Sequence, residues 1–346
     1  MARRQTSIPA ALPEPEAIDL RALSDACASG EVNLIVVLGP TASGKTKYAV
    51  GLAWALSSAL FPGSEGCRVE IISADSRQVY RGMDIGTGKD ISEYGDVPYH
   101  LIDIADPGDG YNVFRFRQDF FKAFADIRSR GRIPILCGGT GLYINSVLNG
   151  YNFVDHTPLS ESRTAGLAGD CADDCSAGYV SPSPTSGIGI MAFDGEAYPA
   201  VDHSAAVSET AATELASSVS EFGRMTIDAS TAAAMINETG ELRPFVIGTL
   251  VSREVRNARI DSRLKARLEE GMVDEIRGLL DSGVPAETLI GYGLEYRYVT
   301  LFLKGEITYE EMYSKLSTAI HQFAKRQMTW FRGMERSGVR IHWTEV

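Results

Sequence analysis

The sequence predicts an α/β chain built on a doubly wound parallel sheet, and three observations carry that prediction. Between Val32 and about Tyr151, short apolar runs alternate with stretches of helical length. The runs NLIVVLG, VEIISAD, YHLIDIADP and RIPILCGG are rich in Ile, Val and Leu and polar only at their ends, which suits strands buried on both faces. The first of them opens directly into GPTASGKT, residues 39–46, a G-x-x-x-x-G-K-[ST] spacing flanked by a strand and a helix.

Taken in order, residues 1–31 read as a disordered leader, because MARRQTSIPAALPEPEAIDL has two arginines but no apolar stretch of signal-peptide type. Residues 32–154 form the first part of the core, with KTKYAVGLAWALSSAL and FRFRQDFFKAFADIRSRG as helices between strands. Residues 155–244 break the pattern. They are rich in Ala, Ser, Gly and Thr, keep neither helical nor strand period, and read as an atypical acidic insertion for which disorder is the expectation. Residues 245–346 complete the core: RPFVIGTL resumes as a strand, SREVRNARIDSRLKARLEEGMVDEIRGLLDSG as a helix pair, and EEMYSKLSTAIHQFAKRQMTWFRGM as a long amphipathic helix.

Charge is unevenly spread. Residues 155–243 hold 14 acidic side chains against 3 arginines and no lysine, so −11 of the total −12 lies there and the rest is close to neutral. A negative total therefore does not exclude a nucleic-acid partner, which needs only a local basic face. The five cysteines lack a framework spacing, and Cys171 and Cys175 in CADDC have no second ligand pair, so free thiols in a reducing, cytoplasmic setting are expected and a zinc site is not. No apolar run approaches membrane-spanning length.

Three strand ends carry candidate chemistry. In GPTASGKT, Gly39, Pro40, Thr41, Ala42, Ser43 and Gly44 form a loop whose backbone N–H groups turn toward an anion. Lys45 supplies a point charge for phosphates, and Thr46 a hydroxyl for Mg²⁺. Asp75, in SADSRQVYRGMDIGTGK, stands where the second strand leaves the sheet. It suits holding Mg²⁺ through water or removing a proton from a nucleophile, while its structural alternative is a helix N-cap. In CGGTGLYI, Gly138, Gly139 and Gly141 allow close backbone approach and Thr140 offers a hydroxyl to the same cleft; a plain strand-to-helix turn is the alternative. Arg253, Arg256 and Arg259, three apart, share one helical face, and KRQMTWFR interleaves Lys325, Arg326 and Arg332 with Trp330 and Phe331. For that stretch, charges outward and rings inward is the expected division.

GPTASGKT, IISADSRQVYRGMDIGTGK, YHLIDIADP, GGTGLYINSVLNG, SREVRNARIDSRL and AKRQMTWFR together resemble the tRNA dimethylallyltransferase (tRNA isopentenyltransferase) family over most of residues 32–154 and 246–333. The resemblance implies a P-loop NTPase-like core whose loop holds the pyrophosphate of dimethylallyl diphosphate. It implies transfer of the prenyl group to N6 of the adenosine 3′-adjacent to the anticodon of tRNA. Asp75 would then take or orient the N6 proton, and Lys45, Mg²⁺ on Thr46, Thr140 and Arg253 would stabilise charge on the leaving group. Asp75, Ser76, Arg77, Gln78 and Thr140 would meet tRNA at its anticodon loop. A soluble monomer is expected. Two departures stand out: residues 155–244 lack the family's Arg-Ala-Leu-Glu-like signature, and GYGLEYR replaces the commoner Gly-Tyr-Lys-Glu. A P-loop small-molecule kinase and a catalytically impaired tRNA-binding relic are the alternatives.

If residues 155–244 are disordered, limited proteolysis cuts there first and leaves two fragments that stay associated through the sheet. Protection of that segment would refute the expectation.

Overall fold

The computed structural model describes residues 12–149 and 241–346, so most of the acidic insertion, CADDC included, lies outside the described residues. The described residues contain one six-stranded sheet, in the order β3-β2-β4-β1-β5-β6, with every neighbouring pair parallel. Its strands are β1 (Leu34–Leu38), β2 (Val69–Ser73), β3 (Tyr99–His100), β4 (Ile133–Gly138), β5 (Pro244–Leu250) and β6 (Ile341–Glu345). The helices are α1 (Leu20–Ser29), α2 (Lys45–Leu60), α3 (Val113–Ser129), α4 (Gly141–Leu148), α5 (Arg253–Glu270), α6 (Met272–Asp281), α7 (Ala286–Gly291), α8 (Leu294–Leu303) and α9 (Tyr309–Arg336).

The apolar strand runs are explained by burial on both faces. In β1, Leu34, Val36 and Leu38 join the core shared with α3, α4 and the C-terminal helices, whereas Ile35 and Val37 join the one shared with α1 and α2. A strand alternates its side chains, so covering both faces demands a continuous apolar sequence. Each such side chain contributes roughly 1.5–3 kcal/mol on leaving water. The long C-terminal helix α9 begins at a capping box, Thr308 with Glu311, and buries Met312, Leu316, Ile320, Ala324, Gln327, Met328, Phe331 and Met334 at helical spacing.

Three expectations need correction. Within the 1–31 leader, of which residues 1–11 lie outside the described residues, stands α1: its N-cap Asp19 accepts from the N–H groups of Arg21 and Ala22, and its C-cap Gly30 has φ of 78°. Leu23 and Cys27 of α1 are buried against the α2 face, and the Glu16 N–H donates to the Trp343 carbonyl on the outer edge of β6. The run YHLIDIADP gives only a two-residue strand. Its continuation leaves the sheet because Leu101 and Asp103 adopt left-handed backbone, at φ of 61° and 56°, and the N–H groups of Asp103 and Ile104 turn to the carbonyls of Gln78 and Val79. The core completion also contains α7, α8 and β6, which no single run in the sequence announced.

Away from the C-terminal strand ends, Glu70 of β2 is 1% exposed in its side chain. It accepts from Arg130 at 2.5 and 2.9 Å, from Arg132, and pairs with His100 at 2.7 Å. Burial acts to raise its pKa, but the hydrogen bonds from Arg130, His100 and Arg132 outweigh it and hold the carboxyl at about 2. A depressed carboxylate stabilises the fold above its unfolded pKa and loses that contribution as pH falls toward its folded one. Glu70→Gln should therefore cost about 2 kcal/mol at pH 7, less than for fully buried pairs because both arginines reach solvent. In urea titrations the gap between the two proteins should shrink as pH drops from 4 toward 2; a gap independent of pH would refute the assignment.

Candidate active site

Residues 39–44 leave the C-terminal end of β1 and run into α2. Gly39 has no room for a Cβ, which would collide with the hydroxyls of Thr249 and Ser43; these two bond each other at 2.7 Å. Ala42 and Gly44 take left-handed backbone, with φ of 60° and 83°, and Gly44 caps α2 without a side-chain hydrogen bond. The opening N–H groups of α2 are thereby left for an anion, at the positive end of the helix dipole. Lys45 and Thr46 line the adjacent pocket. Burial lowers the Lys45 pKa, with Cys137 and Asp75 acting in the opposite sense, and the same burial pushes the Cys137 thiol up to about 12.

The second strand end supplies Asp75, and here both of its readings hold at once. Its Oδ1 accepts from the N–H groups of Arg77 at 2.9 Å and Gln78 at 3.3 Å, the geometry of a cap. Yet Asp75 is half-buried and lines the same pocket as Lys45, and no hydrogen bond engages its Oδ2 among the described residues. Arg77 and Gln78 line the pocket too. Ser76 instead turns inward: it is 5% exposed, and its N–H donates to Thr140 Oγ1 at 3.1 Å. Thr140, which in turn reaches the Ser76 hydroxyl at 3.4 Å, fixes the residue next to Asp75 and is not itself a wall of the pocket.

The glycines around Thr140 are required by packing. A Cβ at Gly138 would strike the Ala74 backbone, at Gly139 the Gln327 amide, and at Gly141 the Trp330 indole. Gln327 of α9 accepts the Thr41 N–H at 2.7 Å and donates to the Gly139 carbonyl at 2.9 Å, joining the phosphate loop to this turn. Four residues earlier, Phe323 faces the pocket; Phe331 is buried, whereas Trp330 is 44% exposed, so only one of the two rings goes inward.

The segment 84–89 forms the opposite wall. Glu275 of α6 accepts the consecutive N–H groups of Asp84, Ile85 and Gly86, at 2.8, 2.6 and 3.1 Å, and the Tyr296 hydroxyl at 2.8 Å. Lys89, with no exposed side-chain surface, is spent on the Tyr80 carbonyl, Asp84 and Asp103. It is a structural cation.

Arg253 does not reach this pocket. It is exposed at the first position of α5, whereas Arg263 and Arg267 of the same helix line the cavity and Arg259 lies near Gly44. The ten-position step from Arg253 to Arg263 amounts to ~15 Å of helix. Sequence reasoning took the three-residue spacing 253-256-259 and passed over the four-residue spacing 259-263-267, which keeps a single face equally well. Gln327 also lines the pocket and was not foreseen, as does Glu295, the glutamate that GYGLEYR keeps and to which the sequence reading gave no role. The pocket thus gathers four cations (Lys45, Arg77, Arg263, Arg267) and four carboxylates (Asp75, Asp90, Glu93, Glu295). Such a set can bind an anionic group at the phosphate loop and accept a proton beside it.

Comparison with known proteins agrees with this architecture. The family described as IPP transferase matches residues 78–174 and 214–334, so the match runs into the acidic segment from both sides and breaks only between them. The tRNA dimethylallyltransferase 1 of Parabacteroides distasonis is 44% identical over 317 residues, covering 90% of this chain and 92% of that protein. The tRNA dimethylallyltransferase 2 of Porphyromonas gingivalis is 46% identical, with 90% and 94% covered. Among solved structures, the tRNA isopentenylpyrophosphate transferase of Bacillus halodurans superposes with a TM-score of 0.58 at 29% identity, covering 90% of this chain and 89% of that one. A eukaryotic dimethylallyltransferase acting on tRNA shares the fold, with a TM-score of 0.54 at 20% identity. Identity at this level, sustained over nine-tenths of the sequence, goes beyond a common fold: this chain belongs to the IPP transferase family.

Proposed function

We propose that the chain is a tRNA dimethylallyltransferase that moves the five-carbon group of dimethylallyl diphosphate to N6 of the adenosine 3′-adjacent to the anticodon. The observation that carries this reading is the relation to named tRNA dimethylallyltransferases across 90% of the chain. The kinase and relic alternatives find no support in those relatives. The bond from N6 to the allylic carbon forms as the carbon–oxygen bond to diphosphate breaks, and the N6 proton leaves to a base.

In this reading Lys45 and the open N–H groups of α2 bind the diphosphate, and Asp75 takes or orients the proton. The cap geometry serves that role, because two backbone N–H groups fix Oδ1 and orient the carboxylate. Thr140 acts one step back, holding Ser76 and with it the Asp75 turn. We assign the stabilisation of the leaving group to Arg263 and Arg267, which line the pocket, rather than to Arg253, which does not. Gln78, which follows Arg77 in the Asp75 turn and lines the pocket, is assigned to the entering nucleotide, which must leave its stack for N6 to be reached. The half-exposed Trp330 and the charges of α9 supply an aromatic and basic surface for RNA.

Mg²⁺ fits the donor set in a limited way. Among the described residues no group of three or more His, Cys, Asp or Glu could cage a metal ion. Thr46 would contribute a hydroxyl while diphosphate oxygens and water fill the other positions, as is usual for this ion. When bound, the ion supplies charge neutralisation to the departing diphosphate. No helix among the described residues is long and apolar enough to cross a membrane. We take the chain to act as a monomer in the cytoplasm.

Two substitutions test the assignment. Lys45→Ala should weaken diphosphate binding and nearly abolish transfer of label from dimethylallyl diphosphate to tRNA while preserving the fold; an active variant would remove Lys45 from the mechanism. Asp75→Asn keeps an oxygen for the two capping N–H groups, so stability should hardly change, while kcat should fall roughly 10²–10⁴-fold with donor and tRNA affinity retained. Near-normal kcat would refute the base, and a donor-binding defect repaired by added Mg²⁺ would assign Asp75 to the metal instead.

A further inference from the structure

Arg77 and Arg267 enter the pocket from opposite walls, one from the turn after β2 and the other from α5, and Glu295 lies between them. Arg77 Nη1 donates to Glu295 Oε2 at 2.7 Å, and its guanidinium lies over the Phe323 ring at 5.8 Å. Arg267 Nη1 stands 3.7 Å from the other oxygen of Glu295. The side chains of Arg77, Arg267 and Glu295 are 14%, 13% and 5% exposed. Arg267 passes against Gly88, whose φ of 63° and lack of a side chain open a slot; a Cβ there would collide with the guanidinium. The slot is itself held by the grip of Glu275 on Asp84, Ile85 and Gly86.

Two features point to an anionic ligand. One carboxylate serves two guanidiniums, so these three side chains carry one positive charge in excess within a pocket whose cations and carboxylates are in total equal in number. Moreover, no described residue accepts a hydrogen bond from Arg267, and its one ion pair is longer than a hydrogen bond, so a guanidinium with five donors is held at the pocket with them unspent. We propose that Glu295 is a positioning residue that holds Arg77 and Arg267 as a two-sided clamp on the diphosphate end of the donor. This rests on the reading above that the pocket containing Lys45 and Thr46 takes that donor.

Charge and position make opposite predictions at Glu295. Glu295→Gln removes a negative charge, which alone would tighten anion binding; if position dominates, binding weakens. Titrating inorganic diphosphate with Mg²⁺ into the full chain should give measurable binding to the wild type and an approximately tenfold weaker Kd for Glu295→Gln at an unchanged melting temperature. Glu295→Asp should recover part of the loss. Arg267→Lys, which keeps the charge and loses the fork, should weaken diphosphate by a similar factor and decides the matter if Glu295→Gln fails to fold. Unchanged or tighter diphosphate binding in the folded variant overturns the clamp while leaving the donor site in place. A defect confined to the affinity for an anticodon stem-loop RNA also overturns it. Failure of the wild type to bind diphosphate overturns the donor reading and the clamp together.

Discussion

Gln327 spends both ends of one amide on two backbone loops, and the geometry of the pocket follows from that. It accepts from Thr41 in the phosphate loop and donates to Gly139 in the turn after β4. An amide is the side chain that offers an acceptor and a donor together; a carboxylate or an aliphatic chain here would strand a buried backbone group, at roughly 1–3 kcal/mol. With Gln327 pinned, the register of α9 is set. Phe323, one turn earlier, then falls at the pocket, and Trp330, three residues later, falls against Gly141. The glycine-rich turn owes its composition to this approach as much as to any ligand.

The second fixed point is made from backbone N–H groups turned toward a carboxylate. Three consecutive N–H groups at 84–86 form a concavity of the kind that binds phosphates elsewhere, but here the occupant is the chain's own Glu275. The interaction docks the helical layer formed by α5, α6 and α8 onto the loop that follows Asp75. Lys89 ties the same loop to the segment after β3, which explains why YHLIDIADP abandons the sheet: Asp103 is needed beside the buried ammonium, and left-handed backbone brings it there. The buried ammonium of Lys89 and the carboxylate of Glu275 are thus both spent on holding loops, and Arg77, Arg263 and Arg267 are the arginines that face the pocket.

Much of the fold was legible because its signals are local. The phosphate loop, the strands buried on both faces, the capped α5 and the amphipathic α9 each declare themselves within a few turns of chain. Asp75, Lys45 and Thr46 stand at strand ends beside glycine-rich turns, and the structure brings these three candidates to one pocket. The roles of Gln327, Glu275 and Glu295 were not legible, since each acquires its role from a partner about 190 to 290 residues away. Arg253 illustrates the remaining gap: helical periodicity says which residues share a stripe, but the end of the stripe that meets the pocket depends on where the helix is docked. Residues 20–29 were misread because the pair of boundary residues that mark α1, Asp19 and Gly30, was outweighed by the Pro- and Ala-rich composition before it.

The bond between Thr41 and Gln327 spans 286 positions, and this has a consequence for how the protein is made. Sequential synthesis delivers the phosphate loop long before its clasp, and β6 emerges after the other strands among the described residues. A nascent chain therefore carries a recognisable anion-binding loop without the helix that shapes it. Contacts of such separation form late and slowly, because chain closure must be completed before they contribute. Competence to hold a ligand is therefore acquired only after α9 has been made and docked.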